Sequence, residues 1–355
     1  MVPDGNQIID ERSYELGDEE LSSIVLERKK RIFNARNLVF LFISISLIVF
    51  LFTNLDLTRT IETLKNADVA LLICAVFIYS CSNFFKMLRF RALVANSKIS
   101  MMEFYSIVSY HNFFNQIMPA RTGELTYVYY LKKIGRVQTT KGLHSLIITR
   151  IFDLIIISIY FVISLLFFYG ARTSIALFFT GIACGIVSIV ALFKISIIFV
   201  TINNILKKIA GKLKINDYKI TKLILDQMEN ITAEFDSFNT QSHIPLLFIT
   251  SALVWLALYF FSYVNILALR IHITFIETLL GSTGAVLTNV LPINSFGSFG
   301  TLEAGWTGGF VLVGMNLQDA ITSGFASHII TFFASAFLAV VCKIILKFIK
   351  TRSCP

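Results

Sequence analysis

Charged side chains are scarce in this chain, because Asp, Glu, Lys and Arg together make up only 15% of its 355 residues. A soluble domain usually carries about 25%. Apolar residues supply 55% of the chain, and 34 of them are phenylalanines. Apolar runs long enough to cross a bilayer recur between residues 38 and 349. The composition therefore excludes an ordinary soluble domain and predicts an all-α, polytopic membrane protein.

Recognisable catalytic and ligand-binding motifs are also missing. The five cysteines form no CxxC pair, and the sequence contains no HExxH, GxSxG or phosphate-loop motif. Gly211-Lys212 is followed by Leu213, which excludes a Walker lysine there. The basic residues lie between apolar runs, where they report membrane orientation and not a nucleic-acid site. We therefore expect no metal, no cofactor, no enzymatic activity and no nucleic-acid partner.

The first 37 residues form a polar segment that differs from the rest of the chain. Residues 1–20 hold seven acidic side chains against one basic one, and a basic cluster follows at 28–36. This composition predicts a partly disordered tail without a cleavable signal peptide. The basic cluster precedes the apolar run 38–53, and another ends the chain at 343–352. Both termini are therefore expected on the cytoplasmic side of the cell membrane.

The segment 102–131 breaks the pattern of apolar spans. If it crossed the membrane once, the basic residues between 132 and 141 would lie outside, against the positive-inside rule. Pro119 and Gly123 supply a break, so the sequence predicts a helical hairpin that enters and leaves from the cytoplasm. The preceding span, 69–85, is expected to deliver a first basic cluster to the same side, namely Lys86, Arg89, Arg91 and Lys98.

The rest of the chain contains a second broken segment. Residues 273–314, with Pro292 and Gly300, are expected to enter and leave from the outer side. The remaining predicted spans are 143–169, 174–201, 244–269 and 320–349. An amphipathic cytoplasmic linker, 203–243, is predicted to be either an interfacial helix or a solvated loop.

The two halves of the chain have the same layout. Residues 38–170 and 173–350 each read as two spans, a broken pair and a span, with opposite starting sides. This layout predicts an inverted repeat within a single membrane domain, 38–350, with about six full spans and two re-entrant hairpins. The alternative is eight or more full crossings without internal symmetry.

Charged residues inside the apolar segments are the candidates for function, because each costs roughly 2.5–3.5 kcal/mol to insert. Arg150 and Asp153 lie three residues apart in an apolar helix and therefore share a face. They are either an ion pair that joins helices or a site in which Arg150 binds a phosphate and Asp153 holds it in place. The two roles are compatible.

Further polar residues lie at the two breaks. Arg121, at the start of a half-helix, would contact an anionic group of a substrate or else pair with Glu124 or Asp153. Glu303 would bind a cation, pair with an arginine or relay a proton. Asn115 would line a cavity or satisfy frayed backbone. The three histidines in apolar segments (His111, His144 and His328) are read as satisfied polar residues, and the GxxxG from Gly305 to Gly309 as a helix-packing motif.

Three stretches, "NQIMPARTGELTYVYYLKK", "SLIITRIFDLIII" and "NVLPINSFGSFGTLE", together resemble the membrane (flippase) domain of lysylphosphatidylglycerol synthetases. The resemblance covers nearly the whole chain after residue 38. It places ten residues on the family's motif positions, namely Asn115, Pro119, Arg121, Gly123, Glu124, Arg150, Asp153, Pro292, Gly300 and Glu303. It also implies a stand-alone form, since no soluble aminoacyl-transferring domain follows in this sequence.

These observations predict a lipid translocase that moves a phospholipid or polyprenyl-phosphate head group through a central polar cavity. Its partner would be a membrane lipid, and the sequence leaves open a homo-oligomer or a partner lipid-modifying enzyme. Two alternatives remain. The chain could be a membrane-embedded transferase acting on a lipid phosphate, or a non-catalytic membrane partner of a glycosyltransferase.

Overall fold

The computed structural model describes residues 57–94, 99–118, 122–170, 174–212, 218–237, 240–290 and 300–352, and the regular structure of these residues is entirely helical. The helices are, in chain order, α1 (Leu57–Lys65), α2 (Val69–Leu93), α3 (Met101–Ile117), α4 (Glu124–Gly135), α5 (Thr139–Tyr169), α6 (Ile175–Lys212), α7 (Lys219–Ser237), α8 (Thr240–Ala268), α9 (Phe275–Val290), α10 (Thr301–Leu312) and α11 (Leu317–Arg352). The predictions for the tail 1–37, the first span 38–53, Pro119, Arg121 and Pro292 fall outside the described residues.

Among the described residues, five helices are long and apolar enough to cross a membrane, and these are α2, α5, α6, α8 and α11. They coincide with five of the six spans predicted from the sequence, and the sixth is the one at 38–53. Their outward faces are rich in exposed large apolar side chains, such as Phe77 on α2 and Phe193 on α6. Such faces suit lipid and not water. The chain is an all-α, multi-pass membrane protein.

The predicted linker 203–243, within the second half of the chain, is more helical than its polarity indicated. α6 continues to Lys212, because neither proline nor glycine interrupts it between Gly185 and Gly211. Its 38 residues span about 57 Å, well beyond the roughly 30 Å of a hydrocarbon core. The linker's second part is a helix, α7, so the solvated-loop alternative is wrong. A hydrogen bond from Lys207 ties the two helices and holds the pKa of the Glu229 carboxyl below its usual value.

The two broken segments each form a pair of short helices in contact. α3 and α4 have 17 and 12 residues, and α9 and α10 have 16 and 12, whereas a full crossing takes about 20. Both pairs begin in the same way. The Glu103 carboxylate accepts the backbone N–H of Ser100 at 2.9 Å, and that of Glu277 accepts the N–H of Thr274 at 2.7 Å. These capping boxes fix where each hairpin starts.

The helix packing of the second half repeats that of the first. α2 and α8, which hold the same position in the two halves, pack on each other. α3 contacts α11 in the way that α9 contacts α5, so each hairpin rests on the last span of the opposite half. α1 contacts α11 as α7 contacts α5. This correspondence supports the internal repeat.

The second hairpin is held by an unusually close approach of α9 and α10. A Cβ atom added to Gly284 would lie 2.2 Å from the carbonyl oxygen of Gly305, and one added to Gly309 would lie 2.0 Å from that of Gly281. No side chain fits at these distances, because the atoms met are backbone. The packing role predicted for Gly305 and Gly309 is confirmed.

Gly309→Ala is therefore expected to destabilise the protein by about 1–3 kcal/mol, since the backbones of α9 and α10 would have to separate. The matched control is Gly308→Ala on the same helix, where an added Cβ meets nothing within 4 Å. Thermal unfolding of the purified variants in detergent would measure both. Equal melting temperatures for the two variants would contradict the close-packing interpretation.

Candidate functional site

The end of α3 and the start of α4 meet at a glycine. A Cβ on Gly123 would lie 2.5 Å from the side-chain oxygen of Asn115 and 2.7 Å from its Cα. Only glycine allows this contact, which agrees with its interpretation as a hairpin break. The Asn115 amide nitrogen lies 3.3 Å from Nε2 of His111, and Asn115 lines an internal cavity. Of the two roles predicted for Asn115, the structure places it in the cavity wall.

Three of the charged residues nominated from the sequence lie together. Arg150 and Asp153 share a face of α5, and Nη1 of Arg150 lies 3.3 Å from Oδ2 of Asp153. Nη2 of the same guanidinium donates to Oε1 of Glu124 at 2.6 Å. Arg150 therefore bridges the first residue of α4 and the middle of α5. Its side chain keeps 38% of its surface exposed, which leaves it within reach of a ligand.

Asp153 lies at the centre of this network. Its Oδ1 accepts from Nη1 of Arg89 at 2.5 Å and from Nε1 of Trp255 at 2.8 Å. Arg89 also donates to the Ser251 hydroxyl at 3.0 Å. Asp153 and Arg89 keep only 5% and 3% of their surfaces exposed. The network joins α2, α5 and α8, and it supplies the partners that buried charges require.

The position of Arg89 differs from the sequence interpretation, which grouped Lys86 and Arg89 with the cytoplasmic basic cluster. α2 continues to Leu93, past the apolar run on which that grouping rested, so both residues lie within the helix. A signal for this was present in the sequence. Asn83, Lys86 and Arg89 recur at every third position, which places them on one helical face.

The network borders a cavity of about 280 Å³ lined by residues of α2, α3, α4, α5, α8, α9, α10 and α11. Both hairpins and four of the spans thus contribute to its wall. Its charged lining residues are Lys86, Arg89, Glu124, Arg150 and Asp153. Aromatic side chains such as Trp255 and Tyr259 line it as well. Charged side chains from α2, α4 and α5 therefore converge on this one space.

Glu303 belongs to a second polar pair. Its Oε1 lies 2.6 Å from Nδ1 of His328, and its Oε2 accepts the backbone N–H of Gly300 at 2.7 Å. The Glu303 and His328 side chains are almost fully buried, at 0% and 1% exposure. Gly300 has φ of 85°, a left-handed conformation that favours glycine. His328, read as a satisfied polar residue, is hydrogen bonded and also lines the cavity.

The two glutamates occupy equivalent places in the two halves. Glu124 begins α4 and pairs with Arg150 on the following span, 26 residues later. Glu303 lies in the first turn of α10 and pairs with His328 on the following span, 25 residues later. Each hairpin is thus tied to the span after it by a carboxylate. Both glutamates were named from the sequence, but neither of these pairings was.

The described residues contain no group of three or more His, Cys, Asp or Glu side chains that could hold a metal ion. Their convergent chemistry is that of guanidinium, ammonium and carboxylate groups around a cavity. Guanidinium and ammonium groups bind phosphate and carboxylate anions by charge-assisted hydrogen bonds.

Comparisons with known proteins agree with this architecture. A UPF0104 membrane protein of Pyrococcus horikoshii is 22% identical over 315 residues, which cover 83% of this chain and 93% of that protein. No solved structure matches the chain. The sequence model of the family described as "Lysylphosphatidylglycerol synthase TM region" matches residues 37–339, nearly the whole membrane domain. The chain belongs to the family of the lysylphosphatidylglycerol synthase transmembrane region.

Proposed function

We propose that this protein is a lipid translocase, which moves a phosphate-bearing head group through the central cavity while the acyl chains stay in the bilayer. The observation that carries the proposal is the charged cavity itself. Charges at membrane depth are costly and mark substrate pathways, and here five charged side chains among the described residues line one space between the two hairpins. The family membership supports a role at the membrane that involves lipid.

The repeated packing suggests how the cavity would open to either side. Inverted repeats place a substrate site at the interface of the two halves, between their discontinuous helices, and alternating access follows when one half rocks against the other. The cavity lies where α3 and α4 face α9 and α10. In this proposal the first half starts on the cytoplasmic side of the plasma membrane, the second half starts outside, and both termini are cytoplasmic.

Arg121 and Arg150 are the arginines assigned to the phosphate in this proposal. Arg150 projects into the cavity and presents a planar fork of donors, which suits phosphate oxygens. Arg121 precedes α4 closely, at the end whose free N–H groups favour anions. Glu124, Asp153 and Glu303 would balance the positive charge. With no nucleotide motif in the sequence, the movement would be downhill or coupled to an ion.

Translocation by purified protein in liposomes tests the proposal. A fluorescent phospholipid in the inner leaflet is protected from a membrane-impermeant reductant until it reaches the outer leaflet. Wild-type protein is expected to accelerate the loss of fluorescence. Arg150→Ala and Arg121→Ala are expected to slow that loss by about tenfold or more, since a charge-assisted bond contributes about 1.5–3 kcal/mol. Lys133→Ala is the control, because Lys133 lies exposed outside the cavity and contacts Tyr129.

Two results would count against the proposal. If folded wild-type protein leaves the rate at that of empty liposomes, the chain is not a translocase for that lipid class. If Arg121→Ala and Arg150→Ala move lipid as fast as the control, the site assignment is wrong. Mass spectrometry of the recovered lipid distinguishes the transferase alternative, since an enzyme changes the mass of the lipid and a translocase changes only its leaflet.

A further inference from the structure

The carboxylates of Glu124 and Asp153, which line the cavity, and that of the buried Glu303 are all engaged by protein groups. Glu124 accepts from Arg150 at 2.6 Å, and Asp153 accepts from Arg89 at 2.5 Å. Glu303 is held by His328 and by the backbone of Gly300. A head group that carries an amine would have to displace one of these partners. Among the described residues, the cavity therefore offers no ready counter-charge for a cationic head group.

Lys86, unlike these carboxylates, has no oppositely charged partner among the described residues. Its Nζ donates to the Asn112 side-chain oxygen at 3.2 Å, and the Asn112 amide donates in turn to Asn83 at 2.6 Å. Both contacts are with neutral amides. None of the ion pairs among the described residues involves Lys86. The side chain is partly exposed and lines the cavity, so its ammonium is held in place by amides and faces the space where a ligand would lie.

The other two cations of the cavity are less available. Arg89 keeps 3% of its surface exposed and is committed to Asp153 and Ser251. Arg150 is partly exposed, but its two terminal guanidinium nitrogens are engaged by Glu124 and Asp153. Among the described residues, three cationic and two anionic side chains line the cavity, so Arg89 and Arg150 balance the two carboxylates. The remaining positive charge is that of Lys86.

We infer that the cavity selects a head group whose phosphate keeps a net negative charge, and that Lys86 is a further anchor for this phosphate beside the two arginines. The inference rests on the proposed translocase function and narrows its substrate class. An anionic phospholipid or a polyprenyl phosphate meets the requirement. A lipid whose phosphate is balanced by its own amine does not, because the amine would lie beside unpaired positive charge.

The test compares two labelled lipids in the liposome assay, phosphatidylglycerol and phosphatidylcholine, with wild-type, Lys86→Gln and Lys86→Arg protein. Wild-type protein is expected to move phosphatidylglycerol faster. Lys86→Gln is expected to slow phosphatidylglycerol by about 10- to 100-fold, because it removes a charge-assisted bond to phosphate, and thereby to abolish the preference over phosphatidylcholine. Lys86→Arg is expected to retain the preference. Lys133→Gln is the matched control, an exposed lysine outside the cavity.

A binding measurement separates the lipid head group from free phosphate. Short-chain phosphatidylglycerol is expected to raise the melting temperature of purified wild-type protein, and Lys86→Gln to abolish that shift. A shift with inorganic phosphate alone would overturn the assignment to a lipid.

The remaining outcomes of the liposome assay distinguish failure of this inference from failure of the proposed function. If wild-type protein moves both lipids equally, or if folded Lys86→Gln keeps the preference, the inference is overturned while the translocase proposal stands. If wild-type protein moves neither lipid, the proposed function itself fails.

Discussion

Asp153→Ala is expected to lower the free energy of unfolding by about 3–5 kcal/mol, because it leaves the buried guanidinium of Arg89 without its counter-charge. Oδ1 of Asp153 accepts both from Arg89 at 2.5 Å and from Trp255 at 2.8 Å, so the substitution removes the common acceptor of α2 and α8. Denaturant unfolding in mixed micelles, followed by circular dichroism, would measure the loss. A variant within about 1 kcal/mol of wild type would contradict the central role of this carboxylate.

Two further variants separate charge from packing. Arg150→Gln is expected to cost about 1 kcal/mol, since Arg150 keeps 38% of its side-chain surface exposed and partly exposed pairs contribute little. The double variant Arg89→Met with Asp153→Leu replaces the buried pair by apolar side chains. It is expected to recover most of the stability that Asp153→Ala loses, as replacement of buried ion pairs elsewhere has done. Recovery of stability without recovery of lipid movement would show that the network serves function.

Glu303→Ala is expected to destabilise the protein by about 3 kcal/mol or more, because it deprives two buried groups of their acceptor. The Gly300 N–H loses a bond of 2.7 Å and His328 loses one of 2.6 Å. Glu303→Gln is expected to fall between the alanine variant and wild type. Glutamine keeps an acceptor oxygen for the helix cap but removes the charge that His328 faces.

The first helix of the same hairpin, α9, supplies a matched control for Glu303. Glu277 also caps the start of its helix, where it accepts the Thr274 N–H at 2.7 Å, but this contact is exposed. Glu277→Ala is expected to cost only about 1 kcal/mol, the usual effect of losing an exposed cap. Thermal unfolding of the variants in one detergent makes the comparison direct. Similar losses for Glu303→Ala and Glu277→Ala would mean that the His328 contact adds no stability.

Much of the fold could be predicted because hydrophobic length and the distribution of positive charge act locally. The apolar runs gave five spans that coincide with α2, α5, α6, α8 and α11. The breaks at Gly123 and Gly300 coincide with the starts of α4 and α10. The errors lay at the ends of helices. α6 extends through residues 203–212, and α2 carries Lys86 and Arg89 inside it, since polar residues with good helix propensity do not end a helix.

The candidate site could be predicted only in part. Arg150 and Asp153 were recognised as a pair because a spacing of three residues is a property of one helix. Arg89 was not recognised as their partner, because it lies 64 residues away from Asp153 in the chain. His328 was likewise read alone, although it pairs with a glutamate 25 residues before it. Contacts between different helices cannot be predicted from the spacing of residues within one helix.

By itself the sequence determined the membrane class, the spans, the two broken hairpins and the residues that do not belong in an apolar segment. These follow from hydrophobicity, charge and glycine or proline chemistry, which act over a few neighbouring residues. The tertiary structure alone decided which charges neutralise one another. It joined Arg89 to Asp153, Arg150 to Glu124 and His328 to Glu303. It left Lys86 among amides in the cavity wall, because the partner of a buried charge depends on how whole helices pack.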